Sequence, residues 1–272
     1  MKRGSFWGWF WVLLGTAYFA LPLIGAFQFS LEMRRGVLSF TAYERAFADP
    51  EFWKTFLFSN EMALATIFAS LALIVPTAFW VHLRVPQWRP VVEFITLMPF
   101  VIPAIILAYG IIRVYKSPIA IGGFTIMQAP TNTALGTNVL LVAGYVVLAM
   151  PYMYRAVDAG LRAIDVRTLT EAAQSLGAGW FTIIVQVILP NLRAALLSGA
   201  LLTFAIVVGE LTLASFLDRP AFGPYLWLLG QHRAYEPAAL SIISFGLTWV
   251  AMGMIYLVSR GRGGQGQVAG AR

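Results

Sequence analysis

The sequence predicts an all-α integral membrane protein: six transmembrane helices, with a cytoplasmic helical loop between spans four and five. Three observations carry this. Of the 272 residues, 59% are hydrophobic and 11% charged, at a mean hydropathy of +0.75; a soluble domain carries about 25% charged residues. That much apolar surface cannot be hidden in one water-soluble core of this size, so lipid is the solvent for much of it. Second, six stretches of mostly apolar residues reach the length of about 20 that crosses the hydrocarbon. Third, the polar segments between them differ in charge. A net charge of +7 would suggest nucleic acid in a soluble protein, but in a membrane protein it reflects basic residues collected in cytoplasmic loops.

The first stretch covers residues 7–29, behind Met1-Lys2-Arg3. It is longer than the apolar part of a signal peptide and long enough to span, so it reads as an uncleaved first helix. The others are 61–83, 93–115, 135–157, 191–217 and 236–258. Pro99 and Pro103 interrupt the third, which is expected to be kinked or partly unwound. The sixth opens at Glu236-Pro237, where proline suits a first helical turn. The segment between the first two stretches is polar, with an amphipathic look over 43–58. These boundaries divide the chain into residues 1–55 (first helix and external loop), 56–258 (the transmembrane core) and 259–272, a Gly-rich tail expected to be disordered.

Six spans put both termini on one side. That side holds Lys2, Arg3, Arg84, Arg89, Arg155, Arg162, Arg167, Arg193, Arg260, Arg262 and Arg272, eleven of the 19 basic residues. The other holds Arg34, Arg35, Arg45, Lys54, Arg113, Lys116, Arg219 and Arg233, together with Glu32, Glu44, Asp49, Glu51, Glu61, Asp218 and Glu236. The basic bias makes the termini cytoplasmic and places residues 158–190 in the cytoplasm.

That loop carries the most specific pattern in the chain, EAAQSLGAGWFTIIVQVILP over 171–190. Thr168-Leu169-Thr170-Glu171 fits a capping box in which the Thr168 hydroxyl and the Glu171 carboxylate satisfy each other's backbone N–H groups. About two helical turns follow, to Leu176. Gly177 stands where a left-handed cap is wanted, and a second helix runs from Trp180 to just before Pro190. Ala172 and Ala173 carry almost no side chain, so another protein can approach the first helix closely. The second helix, apolar except for Thr182 and Gln186, is expected against the underside of the membrane helices.

On Glu171, Ala172, Ala173, Gly177, Leu189 and Pro190 the segment resembles the EAA loop of ABC-transporter permeases of the binding-protein-dependent importer type. Val187 replaces that family's isoleucine three residues before the proline. Leu97-Met98-Pro99-Phe100-Val101-Ile102-Pro103 resembles the proline-punctuated third span of permeases for spermidine, putrescine and related solutes. Gly209-Glu210-Leu211 resembles the family's Gly-Glu-Phe in the fifth span, with Leu211 in place of the aromatic residue. The resemblance implies a non-catalytic, multi-pass subunit of the bacterial inner membrane, coupled through the EAA loop to cytoplasmic ATP-binding subunits. It also implies a second permease subunit, usually a paralogue, and an external solute-binding protein. No cofactor is expected in the chain itself, ATP being bound and hydrolysed by the partners. Polyamines lead the solutes the resemblance implies, ahead of iron, thiamine, phosphonates and inorganic anions.

Glu210 is the one carboxylate inside an apolar stretch, AIVVGELTLASF, where a charge costs several kcal/mol unless it faces the bundle interior or a wet path. Two readings stand: a residue lining the translocation path, or a hydrogen bond to a neighbouring helix. His82 and His232 fall on opposite sides by this topology, so they cannot form one metal site, and each is expected at a surface or interface. Asp158 and Asp165 flank Arg162 as local helix charge pairs. Trp7, Trp53, Trp80, Trp88 and Trp227 lie near span ends, as an interfacial belt does. There is no cysteine, and no Gly-Lys pair for a phosphate-binding loop. No catalytic constellation is present, which leaves a membrane-embedded enzyme without support. The alternative from another class is a stand-alone ion-coupled secondary transporter or channel. It calls for ionisable residues in several spans and for broken helices in paired positions; Glu210 and the third span supply one of each.

Overall fold

The computed structural model of the chain describes residues 6–33, 37–121 and 124–260. The expected tail lies, from residue 261 on, outside the described residues, as do Lys2, Arg3, Arg34, Arg35, Arg262 and Arg272 of the charge pattern. The described chain is helical apart from one antiparallel hairpin, β1 (Ile119–Ile121) and β2 (Phe124–Met127), which an all-α reading did not foresee. It falls into two compact units: residues through Lys54 with Tyr225–Ala251, and Thr55–Pro224 with the described residues from Met252 on.

The first unit contains α1 (Phe6–Leu31), α2 (Thr41–Ala48), the start of α3 (Pro50–Arg84), the end of α12 (Phe222–His232) and most of α13 (Tyr235–Arg260). α1 has no buried residue in its most apolar window, as a helix in contact with lipid or a partner would. Ser30 at its end bonds Tyr43 of α2 at 2.7 Å, and Phe29 stacks on Tyr235 with centroids 4.8 Å apart. α3 begins eleven residues before the expected 61. The cause is Asp49-Pro50: the Asp49 carboxylate accepts the Glu51 N–H at 3.0 Å, and proline fits the first helical position. The other Asp49 oxygen accepts the Tyr225 hydroxyl at 3.1 Å. Burial and that carboxylate push the Tyr225 phenol above its ordinary range.

The second unit is built on α6 (Ala134–Arg162), whose N-terminus is capped by the Thr133 hydroxyl accepting from the Gly136 N–H at 3.1 Å. Leu140, Leu141, Tyr145, Ala149, Met153, Val157 and Leu161 are buried along it. α3 runs on to Arg84, followed by α4 (Arg89–Leu97) and α5 (Ala104–Tyr115), then by α7 (Val166–Ser175) after α6. α8 (Trp180–Thr182), a π-helical turn over Ile183–Ile188 and α9 (Leu189–Asn191) form one short rod, which turns into α10 (Arg193–Val208) and α11 (Thr212–Phe216).

Among the described residues three helices are long and apolar enough to cross a membrane: Trp7–Leu31, Pro50–Arg84 and Ala134–Arg162. There are five candidates if each of two bent pairs is one crossing: Pro86–Phe100 with Ala104–Tyr115, at 98°, and Trp180–Asn191 with Arg193–Val208, at 81°. The third stretch is therefore broken at a right angle between Met98 and Pro103, where the missing proline N–H groups leave the helix unable to continue. The fifth ends at Val208, short of the expected 217, and resumes as α11.

α6 and α10 approach through small residues. A Cβ on Gly160 would lie 2.6 Å from the Ala195 Cβ, and one on Gly199 would lie 2.7 Å from Met153 Sδ. Without a hydrophobic drive between helices in lipid, such close backbone packing holds them together. Ala195 cannot swing away as a long side chain could. Gly160→Ala is therefore expected to destabilise the second unit by about 1–3 kcal/mol, seen as a lower melting temperature in detergent. An unchanged melting temperature would show that the two helices do not depend on this contact.

Candidate functional site

The loop from Ala163 to Leu192 is a two-armed corner. Its first arm, α7, is not capped as the sequence suggested. Asp165 is the N-cap: its carboxylate accepts the Thr168 N–H at 3.1 Å and the Thr168 hydroxyl at 2.7 Å. Those bonds hold Asp165 below the usual carboxylate range. Aspartate is as good a cap as threonine and stands where the chain leaves α6, so helix begins three residues earlier. Glu171 is thereby free of the cap and pairs with Arg167 at 2.8 Å, one turn back.

α7 ends at Gly177, as expected, with φ +82°. Its N–H donates to Gln174 O at 2.9 Å, and the Ala178 N–H reaches back to Ala173 O at 3.0 Å, the paired bonds of a Schellman cap. The second arm starts at Trp180 but does not stop before Pro190; it runs through that proline to Asn191. In a regular α-helix the Pro190 ring would meet the carbonyl of Gln186, and the π turn over Ile183–Ile188 widens the coil just before it.

One side of this corner is fixed to the unit. Val166, Ala173, Ile183, Ile188 and Leu192 are buried in a single cluster with Ile74, Val75, Ala78 and Phe79 of α3 and Met153, Val157 and Leu161 of α6. Ala173 thus faces its own core and is not open to a partner, whereas Glu171 and Ala172 are exposed. Trp180 packs edge-on to Phe79 and Trp80, and the Arg84 guanidinium lies 5.3 Å from the Trp180 ring centre. The other side is bare and apolar: Leu176 is 89% exposed and Phe181 81%.

Above the corner lies a charge cluster that sequence reasoning missed. His82, at the end of α3, lies at the interface with α6: its Nε2 is 2.8 Å from Asp158. Arg89 donates to both Asp158 oxygens at 3.0 Å. Arg162 reaches Asp158 at 2.6 Å, the local pair expected, and also Glu93 at 2.9 Å. The partners are 69 and 76 residues away in sequence, so no local pattern announces them.

Glu210 sits in the break between α10 and α11, half-buried. Its two oxygens accept the backbone N–H groups of Thr212 (2.6 Å), Leu213 (3.0 and 2.9 Å) and Ala214 (3.3 Å). The buried Tyr145 of α6 lies against the same carboxylate. The backbone donors belong to the turn that follows, and the Tyr145 hydroxyl bonds the same carboxylate from α6, so the expected hydrogen bond to a neighbouring helix is present. Gly223 presses on the Glu210 carbonyl, where a Cβ would come within 2.4 Å of the oxygen.

Comparison with known proteins adds an independent finding. A family model described as "Binding-protein-dependent transport system inner membrane component" matches residues 74–262. The chain is 28% identical over 168 residues to the spermidine/putrescine transport system permease protein PotB of Haemophilus influenzae, covering 58% of this chain and 57% of that protein. It is 29% identical over 154 residues to a Haloferax volcanii protein described as a "probable molybdenum ABC transporter permease protein", covering 56% of this chain and 55% of that one. The chain spans less than two thirds of the length of these relatives. Among solved structures, a bacterial ABC transporter involved in the import of the acidic polysaccharide alginate superposes with a TM-score of 0.65, covering 94% of this chain and 96% of that one. At 17% identity that likeness concerns the fold alone.

The Glu210 geometry has a direct consequence. Gln keeps one acceptor but turns an amide donor toward backbone N–H groups. Glu210→Gln is expected to lose about 1–3 kcal/mol of stability, read as a lower melting temperature in detergent. A melting temperature equal to that of the native chain would mean that the cap is not needed to hold the break.

Proposed function

The chain belongs to the family of binding-protein-dependent transport system inner membrane components, and on that premise we propose that it is the permease subunit of an ATP-driven solute importer. It forms half of the translocation path, crosses the membrane six times with both termini in the cytoplasm, and hydrolyses no ATP itself. A second permease subunit, two cytoplasmic ATPase subunits and an external solute-binding protein complete the assembly.

The single observation that best supports this reading is the two-faced corner at 163–192. One face is pinned by Ile183, Ile188 and Leu192 to α3 and α6; the other presents Leu176 and Phe181 to solvent, beside Glu171 and Ala172. Among the described residues Leu176 is the most exposed large apolar side chain, and Phe181 is close behind. In a groove on the ATPase they would be anchors. ATP binding would draw the ATPases together, carry the corners with them and bias the helices between inward-open and outward-open states.

Polyamines of the spermidine/putrescine type are the proposed solute, supported by the name of the Haemophilus relative and the proline-punctuated third span. Glu210, its carboxylate engaged by backbone, would serve the path by shaping the break at Gly209–Leu211; selection of a cation then falls to other residues and to the binding protein.

Gly177→Val tests the corner. A side chain at Gly177 would meet nothing within 4 Å, so the substitution acts only through its resistance to positive φ. The variant is expected to insert and accumulate normally, while ATP-dependent uptake and solute-stimulated ATP hydrolysis fall about tenfold or more. Native uptake at equal membrane levels would remove the lever from the account.

A further inference from the structure

Asp158 is 5% exposed, yet it meets three cationic or ionisable partners from three segments: His82 at the end of α3, Arg89 at the start of α4 and Arg162 at the end of α6. Glu93 of α4 closes the cluster, 3.2 Å from Arg89 Nε and 2.9 Å from Arg162. These ion pairs fasten α4 beside the packing of Val92 on the apolar cluster. A cleft of about 410 Å³ opens beside α4 and α6, lined by Glu93, Thr96, Leu97, Tyr154, Asp158 and Arg162. Apolar side chains would slide over one another. A buried carboxylate fastened on several sides has one satisfied arrangement, and leaving any partner exposes an uncompensated charge.

The cluster lies at the root of the corner. Arg162 is the last residue of α6, Asp165 caps α7, and α7 begins at Val166. α4 is thus tied to the loop. α5 is tied elsewhere: Ile111 packs at Gly144 of α6, and Tyr109 lies against Phe216 of α11, with centroids 5.1 Å apart. Between the two attachments each strand of chain has a weak point. The third span breaks through 98° at Met98–Pro103, and α6 carries Pro151 between Gly144 and Asp158. Phe100 and Tyr152 touch edge-on at 5.2 Å where these two points meet.

Building on the permease reading, we propose that Asp158 is a positioning residue of coupling: it locks α4 to the root of the 163–192 corner so that they move as one piece, with Met98–Pro103 and Pro151 as the hinges. ATPase-driven displacement of the corner then reaches the third span directly, and α4 swings against α5.

The chain has no native cysteine, so spin-label pairs can be placed at will. Trp88 on the α4 side, Ser175 on α7 and Val114 on α5 are exposed and serve as label sites in the full complex with its ATPase, with and without ATP and vanadate. The 88–175 distance is expected to stay within about 2 Å on trapping, while 114–175 shifts by several ångström, the scale of hinge motions. Asp158→Asn should make 88–175 broaden and change on trapping, and Asp158→Glu should restore it in part. Arg89→Gln, which spares the Asp158–Arg162 pair, should act like Asp158→Asn and covers the case in which that variant fails to fold. A native 88–175 distance that changes on trapping, or one unaltered by both variants, overturns the lock. Failure of the native chain to assemble with any ATPase overturns the permease reading instead, a separate result seen before any label is read.

Discussion

The apolar seam beneath the second unit governs much of what lies around it. Ile183, Ile188 and Leu192 from the loop meet Phe79 and Val75 of α3 and Met153, Val157 and Leu161 of α6. A rod of only twelve residues from Trp180 to Asn191 could not hold a helical shape in water on its own; it persists because one face is buried. The seam also sets the outer face. Once Ile183 and Ile188 point inward, helical geometry turns Phe181 and Val185 outward. The bare corner is thus a by-product of how the loop is anchored, and its rigidity comes from the same residues.

A second constraint is the satisfaction of backbone polar groups wherever a span breaks inside an apolar environment. The two breaks solve it differently. At Met98–Pro103 a 3-10 turn and two prolines reduce the number of donors that need partners. At Gly209–Leu211 no proline is present, and a carboxylate takes up the exposed N–H groups of the next turn. An acidic residue in an apolar stretch, expensive by itself, offsets a cost of the broken backbone there. Glu210 and Asp158 then have related roles: one carboxylate gathers amides within a turn, the other gathers basic side chains from three helices.

Sequence periodicity and composition made the helical, membrane character legible, because an apolar run of about 20 residues has one favourable environment. Single residues with strong backbone preferences were legible too: Gly177 adopts the left-handed cap it suggested, and Pro99 and Pro103 break the third span. The cap at Asp165 was misassigned to Thr168 because both residues can cap, and the choice depends on where α6 ends. Ala173 looked like an open face from its size alone; its direction is set by the burial of Val166 and Thr170 on the same side of α7. The Asp158 cluster and the break before Glu210 were illegible for a common reason. Each is fixed by contacts between distant segments, and nothing in VVGELTLASF marks where a helix must stop.

The central claim is that the outward face of the 163–192 corner seats on an ATPase. A photoreactive or thiol cross-linker on a single cysteine at Phe181, carried by the otherwise cysteine-free chain in native membranes, tests it most directly. The account predicts one cross-linked product, with a nucleotide-binding ATPase subunit, whose yield changes when ATP and vanadate are added. Cross-links to lipid or to unrelated proteins alone, at a yield indifferent to nucleotide, would contradict it.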